Sequence, residues 1–207
     1  MGRCNMKNAW YRFLLWLTGT GFWRWLITGL LPRIRFSTSH GGISGRKFLK
    51  LSELLEPGDL ILAYDNTLPT AFLVPGEFSH GALCISNDLQ NPWQVSEMTH
   101  EGYTKSAFYD VCRRSSRVAI YRCFDWDEAY VNEVIRAARE LDGASYDAQF
   151  RFGVKQLYCF ELLYQSDVEK RLKWLVGSLP GLGIPYVNSG SIIDAPNTYL
   201  VVDSSTV

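Results

Sequence analysis

Two short strand-like runs joined by a turn constrain this chain more than any other feature. Ser79-His80-Gly81-Ala82-Leu83-Cys84-Ile85 and Trp93-Gln94-Val95-Ser96-Glu97-Met98 flank a turn over Asn87 to Pro92, the pattern of a β-hairpin. Side chains alternate along a strand, so His80, Ala82 and Cys84 share one face and Gly81, Leu83 and Ile85 share the other. With the turn centred near Leu89-Gln90, antiparallel pairing sets Glu97 opposite about Ala82, one diagonal step from His80. The hairpin therefore brings together an imidazole facing a pocket and a carboxylate able to orient it.

A nucleophile to match stands about eighty residues later. Tyr158-Cys159-Phe160-Glu161-Leu162-Leu163 reads as the first turn of an amphipathic helix after a Gly/Lys/Gln loop. Unpaired backbone N–H groups and the positive end of the helix dipole favour thiolate over thiol at such a position. The other cysteines lack that setting: Cys84 and Cys123 lie in strand-like runs, Cys112 precedes an arginine pair and Cys4 is near the terminus. Five cysteines, an odd number with no zinc-type spacing in a chain of this size, read as reduced thiols. Cys159, His80 and Glu97 are the candidate catalytic set, with Tyr146, Tyr158 and Phe160 as candidate pocket walls. His100 lies close to Glu97 and competes for the base role, whereas His40 sits in a linker and is a poor candidate.

The rest of the pattern is that of a small α+β domain. Lys47 to Leu55 is a short amphipathic turn, Glu56-Pro57-Gly58-Asp59 a turn signal and Leu60 to Tyr64 a strand. Arg117 to Cys123 is a third strand that closes a meander with the hairpin. Asp125-Trp126-Asp127-Glu128 has a capping-box arrangement, followed by Val131, Val134, Ile135, Ala138 and Leu141 at helical spacing and a stop at Gly143. The helix carrying Cys159 is expected to continue to about Val176, and Thr198 to Val202 is a last strand.

With 207 residues, 47% of them hydrophobic, the chain can bury one substantial core. A net charge of zero and a pI near 6.8 provide no basic field, which argues against a nucleic-acid partner. Residues 1–36 differ from the remainder: Trp10 to Leu31 is apolar and holds four tryptophans with Arg12 and Arg24. A central arginine costs about 2.5–3.5 kcal/mol in a spanning helix, and Trp prefers the interface. The segment reads as an interfacial or shallowly inserted helical hairpin broken at Gly19-Thr20-Gly21; a helix packed on the domain, an export signal and a true span are the alternatives. Residues 37–46 read as a flexible linker and 47–207 as the catalytic domain. This organisation fits a membrane-associated or cytoplasmic protein better than a secreted one.

The stretches LEPGDLIL, VPGEFSHGALCI, VSEMTHEGY, ASYDAQFRFG and YCFELL, in this order, resemble the permuted NlpC-type papain-like cysteine hydrolases of the YiiX/YaeF-like branch. The resemblance covers about Leu51 to Val202. It implies a circularly permuted papain-like fold, an antiparallel sheet or small barrel packed against helices, in which the histidine precedes the cysteine. Carried over position by position, it implies Cys159 as nucleophile, His80 as base and Glu97 as the acid behind the ring, with Tyr146 shaping the cleft. Phe160 stands where that family commonly has Ser, which is read as a change of substrate. The expected activity is a thiol hydrolase that cleaves an amide through an acyl-enzyme on Cys159, without metal or organic cofactor. Resemblance suggests a cell-wall-type peptide or a lipid-linked amide or acyl group as substrate, since related permuted folds include lecithin:retinol acyltransferase-like enzymes. The alternative is a membrane-tethered module that binds a ligand or partner without chemistry, for which Phe160 and the short C-terminal segment speak. The oligomeric state is not readable from the sequence.

Overall fold

A strand that is apolar at every position up to its last, Leu60-Ile61-Leu62-Ala63, needs cover on both faces, and the fold supplies it. The computed structural model describes residues 20–21, 25–31, 34, 42–43, 45–67, 74, 76–88, 90–91, 94–147, 152–153, 155–178 and 184–207. After a π-helical stretch at Leu26–Leu30, the elements in chain order begin with α1 (Gly45–Leu54), β1 (Leu60–Tyr64), β2 (His80–Cys84), β3 (Val95–Thr99) and β4 (Gly102–Ser106). Helix α2 (Phe108–Arg114), β5 (Arg117–Cys123), α3 (Glu128–Glu140), β6 (Ser145–Tyr146), β7 (Gln156–Leu157) and α4 (Cys159–Ser166) follow. The chain closes with β8 (Gly177–Ser178), β9 (Pro185–Tyr186), α5 (Gly190–Ile193) and β10 (Thr198–Asp203).

Six strands form one antiparallel sheet in the order β10-β5-β1-β2-β3-β4. Strand alternation divides its apolar side chains between two cores. On one face Leu60, Leu62, Leu83, Met98 and Ala119 pack with Tyr130, Val134 and Ala138 of α3 and Phe160, Leu162 and Leu163 of α4. On the other, Ile61, Ala82, Cys84, Val95, Val118 and Ile120 pack with Leu51 of α1 and Phe108, Val111 and Cys112 of α2. Helix α3 starts where Asp127 accepts a hydrogen bond from the Tyr130 N–H at 2.8 Å, two residues later than a capping box of Asp125 and Glu128 implies.

Several expectations need correction. Arg117–Cys123 does not close a meander on the hairpin; it pairs with β1 and β10, and the neighbour of β3 is β4. Helix α4 ends at Ser166 rather than near Val176, because the Asp167 carboxylate gathers the N–H groups of Arg171 and Leu172, the Trp174 indole and the Tyr130 hydroxyl into an irregular turn. Within the stretch read as a flexible linker, Ile43 is buried and its N–H meets the carbonyls of Cys112 and Ser115, so packing begins before residue 47. Of the alternatives for the architecture, the structure takes the open sheet. Most of the Trp-rich segment lies outside the described residues, and of its proposed break only Thr20 and Gly21 are described; among the described residues no helix is long and apolar enough to cross a membrane.

Gly81 sets how closely α4 lies on β2. A Cβ there would fall 2.9 Å from Cδ1 of Phe160 and 3.0 Å from Cδ1 of Leu163, two side chains with no room to retreat. Gly81→Ala is therefore expected to cost about 1–3 kcal/mol of overpacking. Urea unfolding of the single variant and of the Gly81→Ala/Phe160→Ala pair checks this: the paired loss should be smaller than the sum of the two single losses.

Candidate active site

The sequence places an imidazole, a carboxylate and a thiol on three elements, and the fold brings them to one end of β2. Ala82 pairs with Glu97, the register expected from the turn, so His80 and Glu97 rise on the same face. His80 Nε2 and Glu97 Oε2 are 2.7 Å apart. That commits one ring nitrogen to the carboxylate and leaves Nδ1 open towards Cys159, whose neighbouring thiol favours the charged ring. Cys159 arrives from the opposite face of the sheet as the first residue of α4, with Sγ 3.9 Å from the Ser79 carbonyl oxygen. The thiol is only 4% exposed, so the open edge of the pair belongs to His80, whose side chain is 24% exposed.

Glu97 is buried, and its partners explain how a carboxylate survives there. Oε2 accepts from Arg114 of α2 as well as from His80, and Oε1 accepts from the Ser106 hydroxyl of β4. Burial pushes the carboxyl up, but the hydrogen bonds and positive charges of His80 and Arg114 outweigh it and hold the group well below the usual carboxylate range. His80 answers in the opposite sense. Burial disfavours the charged ring, yet the hydrogen bonds and negative charges of Cys159 and Glu97 prevail and raise it to about 9. Ser106 and Arg114 escaped the sequence reading because β4 and α2 were not recognised; the Arg113-Arg114 pair was noted only as the neighbour of Cys112.

The approach to His80 is clamped from both sides. The Phe78 N–H donates to Ser189 Oγ at 3.2 Å, and Gly76, at φ +125, leaves room for that hydroxyl where a Cβ would fall 2.4 Å from it. Arg117 of β5 donates to Glu77 at 2.6 Å and to Asp203 of β10 at 2.6 and 2.9 Å, with its guanidinium 4.7 Å from the Phe78 ring centre.

The remaining candidates separate clearly. Tyr146 is half-buried beside the nucleophile, and burial, with the charges of Cys159 and Asp147, keeps its hydroxyl protonated. Tyr158 and Phe160 are not pocket walls: both are 1% exposed, Tyr158 accepts the Val187 N–H at 2.9 Å, and Phe160 rests on Gly81 in the core. Phe160 thus helps to seat α4 on the sheet. His100 is exposed in the β3–β4 turn, 3.9 Å from Glu101, whereas Glu97 is paired with His80. None of Cys84, Cys112, Cys123 and Cys159 is in a disulfide. Burial pushes the first two up to about 12 and Cys123 to about 11, which makes them inert at neutral pH.

Residues 54–202 match the family described as "Permuted papain-like amidase enzyme, YaeF/YiiX, C92 family". The crystal structure of the metalloprotein yiiX from Escherichia coli O157:H7 shares the fold with a TM-score of 0.59 at 16% identity, over 71% of this chain and 96% of that one. Among the described residues of this chain, no group of three or more His, Cys, Asp and Glu side chains is arranged to hold a metal ion. No curated protein matches the sequence. With well over half of its length matched, the chain belongs to the permuted papain-like amidase family.

Proposed function

We propose that the protein is a cysteine hydrolase that cleaves an amide bond through an acyl-enzyme on Cys159, acting on a cell-wall-type peptide or a lipid-linked amide or acyl group. The observation that carries this reading is the continuous line from thiol to imidazole to buried carboxylate to guanidinium. In that line the ring of His80 is cationic at neutral pH and stands against Cys159 at a helix N-terminus, the setting in which a thiolate persists. The thiolate attacks the carbonyl carbon and its π electrons move to oxygen. The first-turn N–H of Cys159 and the protonated Tyr146 hydroxyl are the donors available to that oxyanion. Collapse expels the amine, which takes the imidazolium proton, and leaves a thioester. Neutral His80 then removes a proton from water, the hydroxide adds to the thioester, and the carboxylic acid and thiolate are released. Glu97 holds the ring and stabilises its charge throughout. The tryptophan-rich N-terminal segment favours work at a membrane surface.

Incubation of the purified protein with cell-wall peptide fragments and with phospholipid vesicles, followed by mass spectrometry, tests the reading. One class is expected to be cleaved, and Cys159→Ser and His80→Ala to lose at least about 10³-fold of the rate. Failure on both classes, or full activity in Cys159→Ser, overturns it. Iodoacetamide at pH 7 is expected to label Cys159 before Cys84, Cys112 or Cys123, and His80→Ala to remove that advantage.

The pH profile supplies a further prediction. His80 must be protonated to supply the leaving amine, so kcat/KM falls as pH rises through about 9. Because Glu97 helps to hold the ring pKa up, Glu97→Gln shifts that alkaline limb to lower pH and lowers kcat/KM by about 10²-fold. An unshifted limb would remove Glu97 from the mechanism.

A further inference from the structure

Glu161 lies outside the catalytic line and is nevertheless wholly buried, in the first turn of α4 two residues beyond the nucleophile. Its Oε1 accepts the Gly153 N–H at 2.5 Å. One helical turn on, Gln165 Nε2 donates to the Gly153 carbonyl at 3.1 Å, and between them Tyr164 stacks on Phe152 with ring centres 5.2 Å apart. A single face of α4 therefore grips both polar groups of Gly153 and the ring before it. The other carboxyl oxygen, Oε2, is buried without a hydrogen-bond partner; the Tyr158 N–H and the Gln165 amide favour its charge without completing a bond to it. A polar atom left unmet in the interior costs stability, so local folding alone does not account for this carboxyl.

What Glu161 grips leads directly into the active site. Residues after Gly153 enter β7, which runs parallel to β6 with Ser145 opposite Gln156 and Tyr146 opposite Leu157; the Asp147 N–H adds a bond to the Leu157 carbonyl at 2.9 Å. Two residues past Leu157 comes Cys159. A shift of Gly153 is thus passed to Tyr146 through β6 and to the nucleophile through the chain itself.

We propose that Glu161 is a positioning residue of the catalytic centre, holding Gly153, and through it Tyr146 and the turn that carries Cys159, in register with His80. The inference rests on the nucleophile reading of Cys159. Burial raises the Glu161 carboxyl to about 7, so it changes charge within the working range of the site. The titratable groups around it are Asp147 and Tyr146 on the β6 side, Tyr158 ahead of the helix and Cys159 on its own helix. Strands β2 and β3 contribute His80 and Glu97, committed to each other, and α3 contributes Tyr130, committed to Asp167. Of these, Asp147 adds like charge that favours the neutral form of Glu161.

The full-length protein tests this without a known substrate, by the pH dependence of the Gly153 amide proton resonance and by the rate of Cys159 alkylation with iodoacetamide, read by peptide mass spectrometry. In the unaltered chain the Gly153 amide proton moves downfield as pH rises through about 7, and in Glu161→Gln, which keeps an acceptor but cannot ionise, that titration disappears. Glu161→Gln alkylates within about twofold of the original rate at pH 6, whereas Glu161→Ala slows about tenfold and Gln165→Ala about threefold. If Glu161→Ala unfolds, seen as labelling of Cys84 and Cys112, Gln165→Ala and the Gly153 resonance decide. A Gly153 resonance that does not titrate, or Gln165→Ala and a folded Glu161→Ala both at the original rate, overturns the proposal. A rate that His80→Ala leaves unchanged overturns instead the hydrolase reading beneath it.

Discussion

A carboxylate without water around it organises this molecule. Removing an ion the size of Glu97 from solvent costs several kcal/mol unless partners of opposite charge and good hydrogen-bond geometry replace the water. Here those partners come from three different elements: the imidazole from β2, a hydroxyl from β4 and a guanidinium from α2. None of them is adjacent to Glu97 in sequence, so the ion is tolerated only when the sheet edge and α2 are correctly assembled. Assembly and the tuning of His80 are then linked, because the carboxylate that must be neutralised also favours the charged form of the ring.

The second requirement is that a helix on one face of the sheet reach a histidine whose neighbours lie on the other. Two features meet it. His80 opens its strand, and Gly81 beside it has no side chain, so Phe160 and Leu163 settle against the backbone of β2. The start of α4 is thereby lowered to the strand end, where Sγ comes to the Ser79 carbonyl. Cys84, Cys112 and Cys123 are as buried or more so but have no imidazole beside them, and burial raises each thiol.

Much of this could be read before any coordinates. Alternation along two strands and one turn length were enough to set Glu97 against Ala82 and to put His80 on the same face, because the two-residue period of a strand is strict. The helix start at Cys159 was legible because it is a local signal, whereas the capping box read at Asp125 and Glu128 fell two residues short of the cap that forms, Asp127. What escaped depends on distant packing. Gly102–Ser106 is short and polar enough to pass for a loop, and Phe108–Arg114 spans two turns, so Ser106 and Arg114 had no element to place them. Tyr158 and Phe160 looked like cleft residues because they flank the nucleophile, but adjacent helical positions point in different directions and both side chains turn into the core. The end of α4 was overrun because Asp167, whose side chain collects four donors, reads in sequence as one more polar residue on a helix.

Arg117 joins the loop before His80 to the final strand, with Glu77 at one end of its guanidinium and Asp203 at the other. In a protein made from its N-terminus onward, Asp203 emerges after Cys159 and the whole of α4. At that earlier stage the clamp on the loop before His80 still lacks one of its two carboxylates. The Arg117 tie on the loop before His80 is thus complete only once β10 has paired with β5 and brought Asp203 to the guanidinium.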